Sequence, residues 1–473
     1  MKNSILKSAI LTCALGASLT ASAQARYIFY FIGDGMGMGH VNVAERYLRD
    51  VRHSDKSLLM MTFPVASQVR TYSGNSPITD SAAAGTALST GHKTNNWRVA
   101  ADSEGNNLYS ISRDFLKAGY EVGVATSVAG DDATPAVFYA HSTDRGDKYH
   151  IAPQAIESGI RFLGAATFRG MAPRDGEPSS WLEEMQTRGG YTLAMGYDQY
   201  RNLPDKSAKT LMLSPNPQGD QVGYTIDSIP GAMTCAELTA ACLETLQTAA
   251  KSNNSPGFFM MVEGGNIDWA AHANDGGAVI QEVLNFQNAI DVAYQFYLAH
   301  PDDTLIVITA DHDTGGLALG RNDNKHNPDL SLYDFQRISK DRFAEYCKTT
   351  YKPGAKADWG EMKDFLAANL GFWGGISLSD EETEELKKSF ELTFVSGEAQ
   401  DEETWYKNFD RFTVDVFNTL NRHGGIGFTT SSHTGNFVPL YAIGRDAMLF
   451  TRNLDNIEIP GLILKAAGIR AQK

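Results

Sequence analysis

The sequence predicts an α/β fold of three layers: a mostly parallel central sheet between helices on both faces, with inserted segments. Three observations lead there. First, apolar runs of strand length recur at Tyr27 to Ile32, Glu121 to Thr126, Phe258 to Val262, Leu305 to Thr309 and Val438 to Ile443. Second, helical patterns lie between them. From Ala278 to Leu298, for example, Val279, Val283, Phe286, Ile290 and Ala293 are spaced for one helix face. Such alternation builds a mostly parallel sheet covered on both sides. Third, each strand-like run abuts a polar, potentially reactive cluster. These are Gly33-Asp34-Gly35, Asp131-Asp132-Ala133-Thr134, Glu263, Asp311-His312 and Ser432-His433-Thr434. In sheets of this kind, ligand sites form beyond the carboxyl ends of the strands.

At 473 residues the chain suits one large domain or two to three smaller ones. Residues 1–23 read as a secretory signal. Lys2 and Lys7 open it, Ala9 to Leu19 is mostly apolar, and Ala21-Ser22-Ala23 fits a cleavage site after Ala23. Export across the inner membrane follows, with the periplasm as the expected destination. The apolar run is too short for a membrane span, and no later segment has the length and apolarity of one. Without the leader the formal charge is −17, which argues against a nucleic-acid-binding surface. Three cysteines remain, Cys235, Cys242 and Cys347. The first two fall seven apart on one predicted helix, roughly 10 Å from each other and too far for a disulfide. Such a sparse, odd set predicts buried apolar side chains rather than a disulfide framework or a thiolate metal site. Two stretches look inserted. One is 162–233, rich in Gly, Pro and charge. The other runs from Arg321 to Arg422 and holds helical segments, one opened by the capping box Ser379 to Glu382.

The stretch EGGNIDWAAH, Glu263 to His272, carries the most chemistry. Glu263 ends a predicted strand; Asp268 and His272, four apart, share a helix face. A carboxylate and an imidazole so placed suit a divalent cation, most often zinc. An ordinary capped helix would read the same way unless other segments supplied more ligands. They do: Asp34, Asp311, His312 and His433 also lie near strand ends. Oxygen and nitrogen donors without thiolates fit catalytic zinc plus a harder ion such as magnesium.

A second block, TDSAAAGTALSTG from Thr79 to Gly91, puts Ser81 just ahead of a small-residue helical run. Free N–H groups at a helix start favour anions. A serine there can be a nucleophile for a phosphoryl group if its pKa is lowered. The plainer role, Asp80 or Ser81 as a helix cap, is the commonest for these residues. No GxSxG elbow is present, so a metal ion is the natural activator.

Six blocks in order resemble the motif set of the alkaline phosphatases: IGDGMG (Ile32 to Gly37), TDSAAAGTA (Thr79 to Ala87), DATPA (Asp132 to Ala136), MVEGGNIDWAAH (Met261 to His272), TADHDTGG (Thr309 to Gly316) and SSHTG (Ser431 to Gly435). The resemblance implies a catalytic core at 24–322 and 424–473, a helical subdomain inserted at 323–423 and a smaller insert at 162–233. It implies a homodimer that hydrolyses small phosphate monoesters at alkaline pH through a phosphoserine on Ser81, with two zinc ions and one magnesium. Asp268, His272 and His433 match the ligands of the first zinc, and Asp34, Asp311 and His312 those of the second. Asp34, Thr134 and Glu263 match the magnesium ligands, with Asp132 near that ion. Arg145 matches the phosphate-binding arginine; its planar fork suits two phosphate oxygens. Without the match it would read as a surface arginine in the turn DRGDK.

Three other readings are weaker. A sulfatase needs a Cys-or-Ser-x-Pro-x-Arg motif, and Ser81 is followed by three alanines. A two-metal phosphodiesterase or nucleotide pyrophosphatase resembles this core, but typically uses threonine and lacks the third metal's ligands. A non-catalytic metal- or phosphate-binding protein would not need the intact nucleophile and arginine. One position departs from the best-known bacterial pattern, which has lysine after the aspartate corresponding to Asp268. Here it is Trp269, which the resemblance implies lines the substrate site together with Asp132; the pair leaves the third ion open to zinc, with magnesium the expected occupant.

Overall fold

Ten strands hydrogen-bond into one sheet. In chain order they are β1 (Tyr27–Ile32), β2 (Val65–Arg70), β3 (Glu121–Thr126), β4 (Phe162–Ala165), β5 (Thr192–Met195), β6 (Thr210–Leu213), β7 (Phe258–Glu263), β8 (Thr304–Thr309), β9 (Val438–Gly444) and β10 (Leu454–Asp455). Across the sheet the order is β10-β2-β9-β8-β1-β7-β3-β4-β6-β5. The computed structural model describes residues 24–173, 177–323, 327–351, 357–404 and 407–470. The expected leader at 1–23 lies outside the described residues.

Every pairing in the sheet is parallel except those of β9, which runs against both β2 and β8. The predicted mostly parallel α/β core is therefore the observed one. β3, β7 and β8 are buried at every position, as near-continuous apolar strands covered on both faces should be. Adjacent residues of β7 show the layering. Phe258 meets Phe296 of the helix Gly276–Ala299, with ring centroids 5.6 Å apart. Phe259 stacks on Phe115 of the helix Ile111–Lys117 at 4.7 Å. Alternate strand residues point to opposite faces, so these helices lie on opposite sides of the sheet. The helix Cys235–Ser252 packs beside Gly276–Ala299. Its Cys235 and Cys242, like Cys347, are buried free thiols.

Register positions the site. Ile32 pairs with both Glu263 and Thr309, and Glu263 pairs with Thr126. The carboxyl ends of β8, β1, β7 and β3 are thus level. β9 runs the other way, with Leu440 beside Thr309, so it begins at that same edge. The polar residues after four parallel strands, and those before one antiparallel strand, all emerge together.

The two stretches set apart by composition behave differently. From 162–233 come β4, β6 and β5, which extend the central sheet beyond β3. Runs of four residues, FLGA, TLAM and TLML, are too short to stand out between Gly- and Pro-rich loops. From 323–423 come the helices Lys340–Thr350, Trp359–Leu370, Asp380–Phe390 and most of Arg411–Gly424. They enclose an aromatic cluster in which Phe412 lies 5.4 Å from Phe390 and 6.1 Å from Phe343. The capping box at Ser379 and Glu382 forms as expected. Among the described residues no helix is long and apolar enough to cross a membrane.

Candidate active site

Two buried triads of metal-ligand type form at the level edge of the sheet. Asp268, His272 and His433 make one; Asp34, Asp311 and His312 make the other. Asp268 and His272 share a face of the helix Asn266–His272, with His272 Nε2 3.3 Å from Asp268 Oδ1. His433 comes from the segment that leads into β9, and its Nε2 is 3.1 Å from that of His272. Backbone carbonyls orient both rings. His272 Nδ1 donates to Ser431 O at 2.6 Å and His433 Nδ1 to Thr79 O at 2.8 Å. With Nδ1 so engaged, Nε2 is the nitrogen each ring turns toward the cluster, the arrangement a metal-binding histidine needs. Burial, followed by the nearby His312, pulls His433 down to about 3, so its ring stays neutral.

In the second triad His312 Nε2 lies 3.1 Å from Asp311 Oδ2 and 3.4 Å from Asp34 Oδ1. The same nitrogen is 3.1 Å from the hydroxyl of Ser81. Asp34 also reaches a third group of oxygens. Its Oδ2 accepts from Thr134 Oγ1 at 3.3 Å, and Glu263 lies beside it, holding the Thr126 hydroxyl. Without cations, burial first and the surrounding carboxylates second push Asp34 far up. Burial, with Asp132 and Asp311 adding to it, pushes Glu263 up to about 8. Asp34 Oδ1, Asp268 Oδ2 and Asp311 Oδ2 are buried and accept no hydrogen bond. Buried charges without partners are costly. Buried carboxylate oxygens that accept no hydrogen bond, gathered against imidazole nitrogens, therefore fit divalent cations.

Ser81 is the first residue of the helix Ser81–Thr90, and Asp80 is its cap, accepting from Ala83 N at 2.9 Å. The capping role thus falls to Asp80 and leaves the serine hydroxyl free for chemistry. Arg145 is buried rather than at the surface. Its two terminal nitrogens lie 3.2 Å from Asp80 and 3.2 Å from Asp132, which ties the guanidinium to the cap of the serine's own helix. Burial would raise the Asp132 carboxyl, but Lys148, Arg169 and Arg145 outweigh it and hold the group well below the usual carboxylate range. Trp269 is half-buried, its ring centroid 6.0 Å from the Arg169 guanidinium.

Several residues here carried no signal in the sequence. Lys148 Nζ sits 3.2 Å from Asp132, and only its place three residues after Arg145 hinted at it. Arg169 belongs to the stretch read as an insert. Thr126 ends a strand, and Thr314 donates to Asp268 from the two-residue strand that follows His312. The segment 323–423 also reaches the site: Asp341, Thr404, Lys407 and Phe409 border a narrow cleft with Trp269, His272 and Ala273. A larger cavity, about 810 Å³, lies between the loop around Tyr224 and the helix Lys340–Thr350 and holds none of the expected site residues.

Gly35 shows how closely these segments approach. Its φ is +68°, and a Cβ there would fall 2.7 Å from Thr314 Oγ1 and 2.8 Å from Asp268 Oδ1. Left-handed backbone costs an L-residue about 1 kcal/mol or more before any clash. Gly35→Ala is expected to lower activity at least tenfold while the far-ultraviolet spectrum stays native. An unchanged kcat/KM would count against this packing.

A mostly parallel sheet with paired Asp/His triads beyond its strand ends, one touching a serine at a helix start, is an α/β enzyme core with two candidate metal-binding groups. The alkaline phosphatase family profile matches residues 25–170 and 218–469, leaving 171–217 unmatched and running through 323–423. Among curated proteins the chain is 28% identical to alkaline phosphatase 3 of Bacillus subtilis, over 94% of this chain and 89% of that one. It is 27% identical to alkaline phosphatase 4 of the same organism, with the same two coverages. Among solved structures it resembles a cold-active alkaline phosphatase from the psychrophile Shewanella sp., at 27% identity and a TM-score of 0.77, covering 93% of this chain and 99% of that one. The chain belongs to the alkaline phosphatase family, and it is a phosphatase.

Proposed function

We propose that the protein hydrolyses phosphate monoesters at alkaline pH through a covalent phosphoserine on Ser81. The observation that carries this reading is the Ser81 hydroxyl, 3.1 Å from His312 Nε2 and at the start of a helix. Ser81 Oγ attacks phosphorus in line, the bond to the alcohol oxygen breaks, and the alcohol departs. Water then attacks the phosphoserine, inorganic phosphate leaves and the serine is restored. Arg145, held by Asp80 and Asp132, forks across two phosphate oxygens, and the helix N–H groups assist it. Trp269 and Asp132 line the substrate site.

Asp268, His272 and His433 would hold one zinc, and Asp34, Asp311 and His312 the second. Asp34, Thr134 and Glu263 would hold the magnesium, with Asp132 nearby. Bound there, such cations supply the positive charge that lowers the serine pKa and offsets the charge of the phosphate and the departing alkoxide. Metal content by mass spectrometry should return two zinc and one magnesium per chain; zinc alone would reassign the third site.

The same geometry on a diester is the second reading. Ser81, Thr134 and Glu263 together favour the monoester. The expected kcat/KM for an aryl phosphate exceeds that for its diester by at least a hundredfold. A preference for the diester would reverse the assignment. The proposal extends to a homodimer, to export into the periplasm, and to 323–423 as a helical subdomain set into a core of 24–322 and 424–473. Light scattering of the purified protein and cell fractionation test the first two.

A further inference from the structure

Arg169 lies just beyond the carboxyl end of β4, at the start of the turn Arg169–Met171. Asp131 anchors its backbone. One carboxylate oxygen accepts from Arg169 N at 2.9 Å and the other from Gly170 N at 2.7 Å. Asp220 anchors the side chain, accepting from Nε at 2.7 Å. That leaves the two terminal nitrogens, with four N–H donors between them. Among the described residues these donate no hydrogen bond. Nη2 is 3.7 Å from Asp132 Oδ2, an ion-pair distance too long for a hydrogen bond. Arg145 and Lys148 hold the other oxygen of Asp132, each at 3.2 Å. The guanidinium also faces the Trp269 ring, and its side chain remains 28% exposed.

Anchoring needs only Nε and the backbone, and Asp132 already has two closer cations. The terminal edge of Arg169 therefore adds charge beside Asp132 without a hydrogen bond to it. A guanidinium fixed at Nε, partly exposed and with terminal nitrogens that donate no hydrogen bond among the described residues, suits the oxygens of a phosphate dianion. It also brings positive charge beside Trp269, which has none of its own. We infer that Arg169 is a second phosphate-binding cation of this site, facing Arg145 across Asp132 and contacting the phosphate of substrate and product. The inference rests on the monoesterase reading above, because that reading puts phosphate against Arg145.

Titration calorimetry of inorganic phosphate into the zinc- and magnesium-loaded protein tests it, alongside phosphate as a competitive inhibitor. Arg169→Ala is expected to weaken phosphate about tenfold by both measures. Arg169→Gln, which keeps a donor for Asp220, should be equally weak, and Arg169→Lys should recover part of the loss. Adding Trp269→Lys to Arg169→Ala should restore affinity to within about threefold by returning charge from the other side. The idea is overturned if Arg169→Ala binds phosphate within twofold of the parent. It is also overturned if Arg169→Gln binds like the parent, which would make anchoring the residue's whole role. A parent protein that binds phosphate but hydrolyses no monoester would sink the earlier reading, and the Arg169 variants would then decide only whether Arg169 contacts bound phosphate.

Discussion

Ser81→Ala is expected to lower kcat by about a thousandfold or more, because the variant has no oxygen to accept the phosphoryl group. The fold should not change. Ser81 is buried, and its hydroxyl meets only His312 among the described residues, while Asp80 does the capping. Alanine is well suited to a helix interior. Arg145 also keeps both its carboxylate partners, so phosphate affinity should fall far less than turnover. Rapid acid quenching with labelled substrate should trap a phosphoprotein in the parent and none in the variant. Near-normal turnover by Ser81→Ala would remove the covalent intermediate from the mechanism.

Chelation is expected to abolish turnover and to make stability fall as pH rises. In the cation-free protein Glu263 has a folded pKa of about 8, and Asp34 is raised in the same direction. Both lie above the unfolded value of about 4. The folded state therefore keeps protons that the unfolded chain releases. That contribution is complete below about pH 4 and is lost as pH rises through about 8. A tenfold difference in proton affinity between the two states is worth about 1.4 kcal/mol. His312, also raised, acts with the same sign. The depressed carboxylates Asp268 and Asp311 contribute in the opposite sense, but their contribution is complete well below pH 7. Between pH 7 and about 8 the chelated protein should lose stability, and the part due to Glu263 should level off above that. In the loaded protein the cations take the place of the protons, and that loss should disappear. Urea midpoints at both pH values, with and without zinc and magnesium, measure the difference. Identical pH dependence in the two forms would show that no cation enters the carboxylate cluster.

Most of the expected ligands could be named from the chain because each lies within a few residues of a strand end. Asp34 follows Ile32 by two positions and Asp311 follows Thr309 by two; Glu263 is itself a strand's last residue. Asp268 and His272 needed only helical spacing. Arg169 and Lys148 left no comparable trace, since a cation that serves a distant carboxylate has no local pattern. The strands of 162–233 were hidden for another reason. Four apolar residues between turns do not make a period.

The apolar runs and their polar ends were local matters, decided by which side chains tolerate burial in a covered strand. That the ends meet was not local. Ser81 and His312 are 231 residues apart, and His272 and His433 are 161 apart. Their approach depends on the register that levels Ile32, Glu263, Thr309 and Thr126, and on β9 entering the sheet against its neighbours. Register and strand direction come from packing whole faces against helices on either side. That energy belongs to the assembled sheet, and no single segment of the chain contains it.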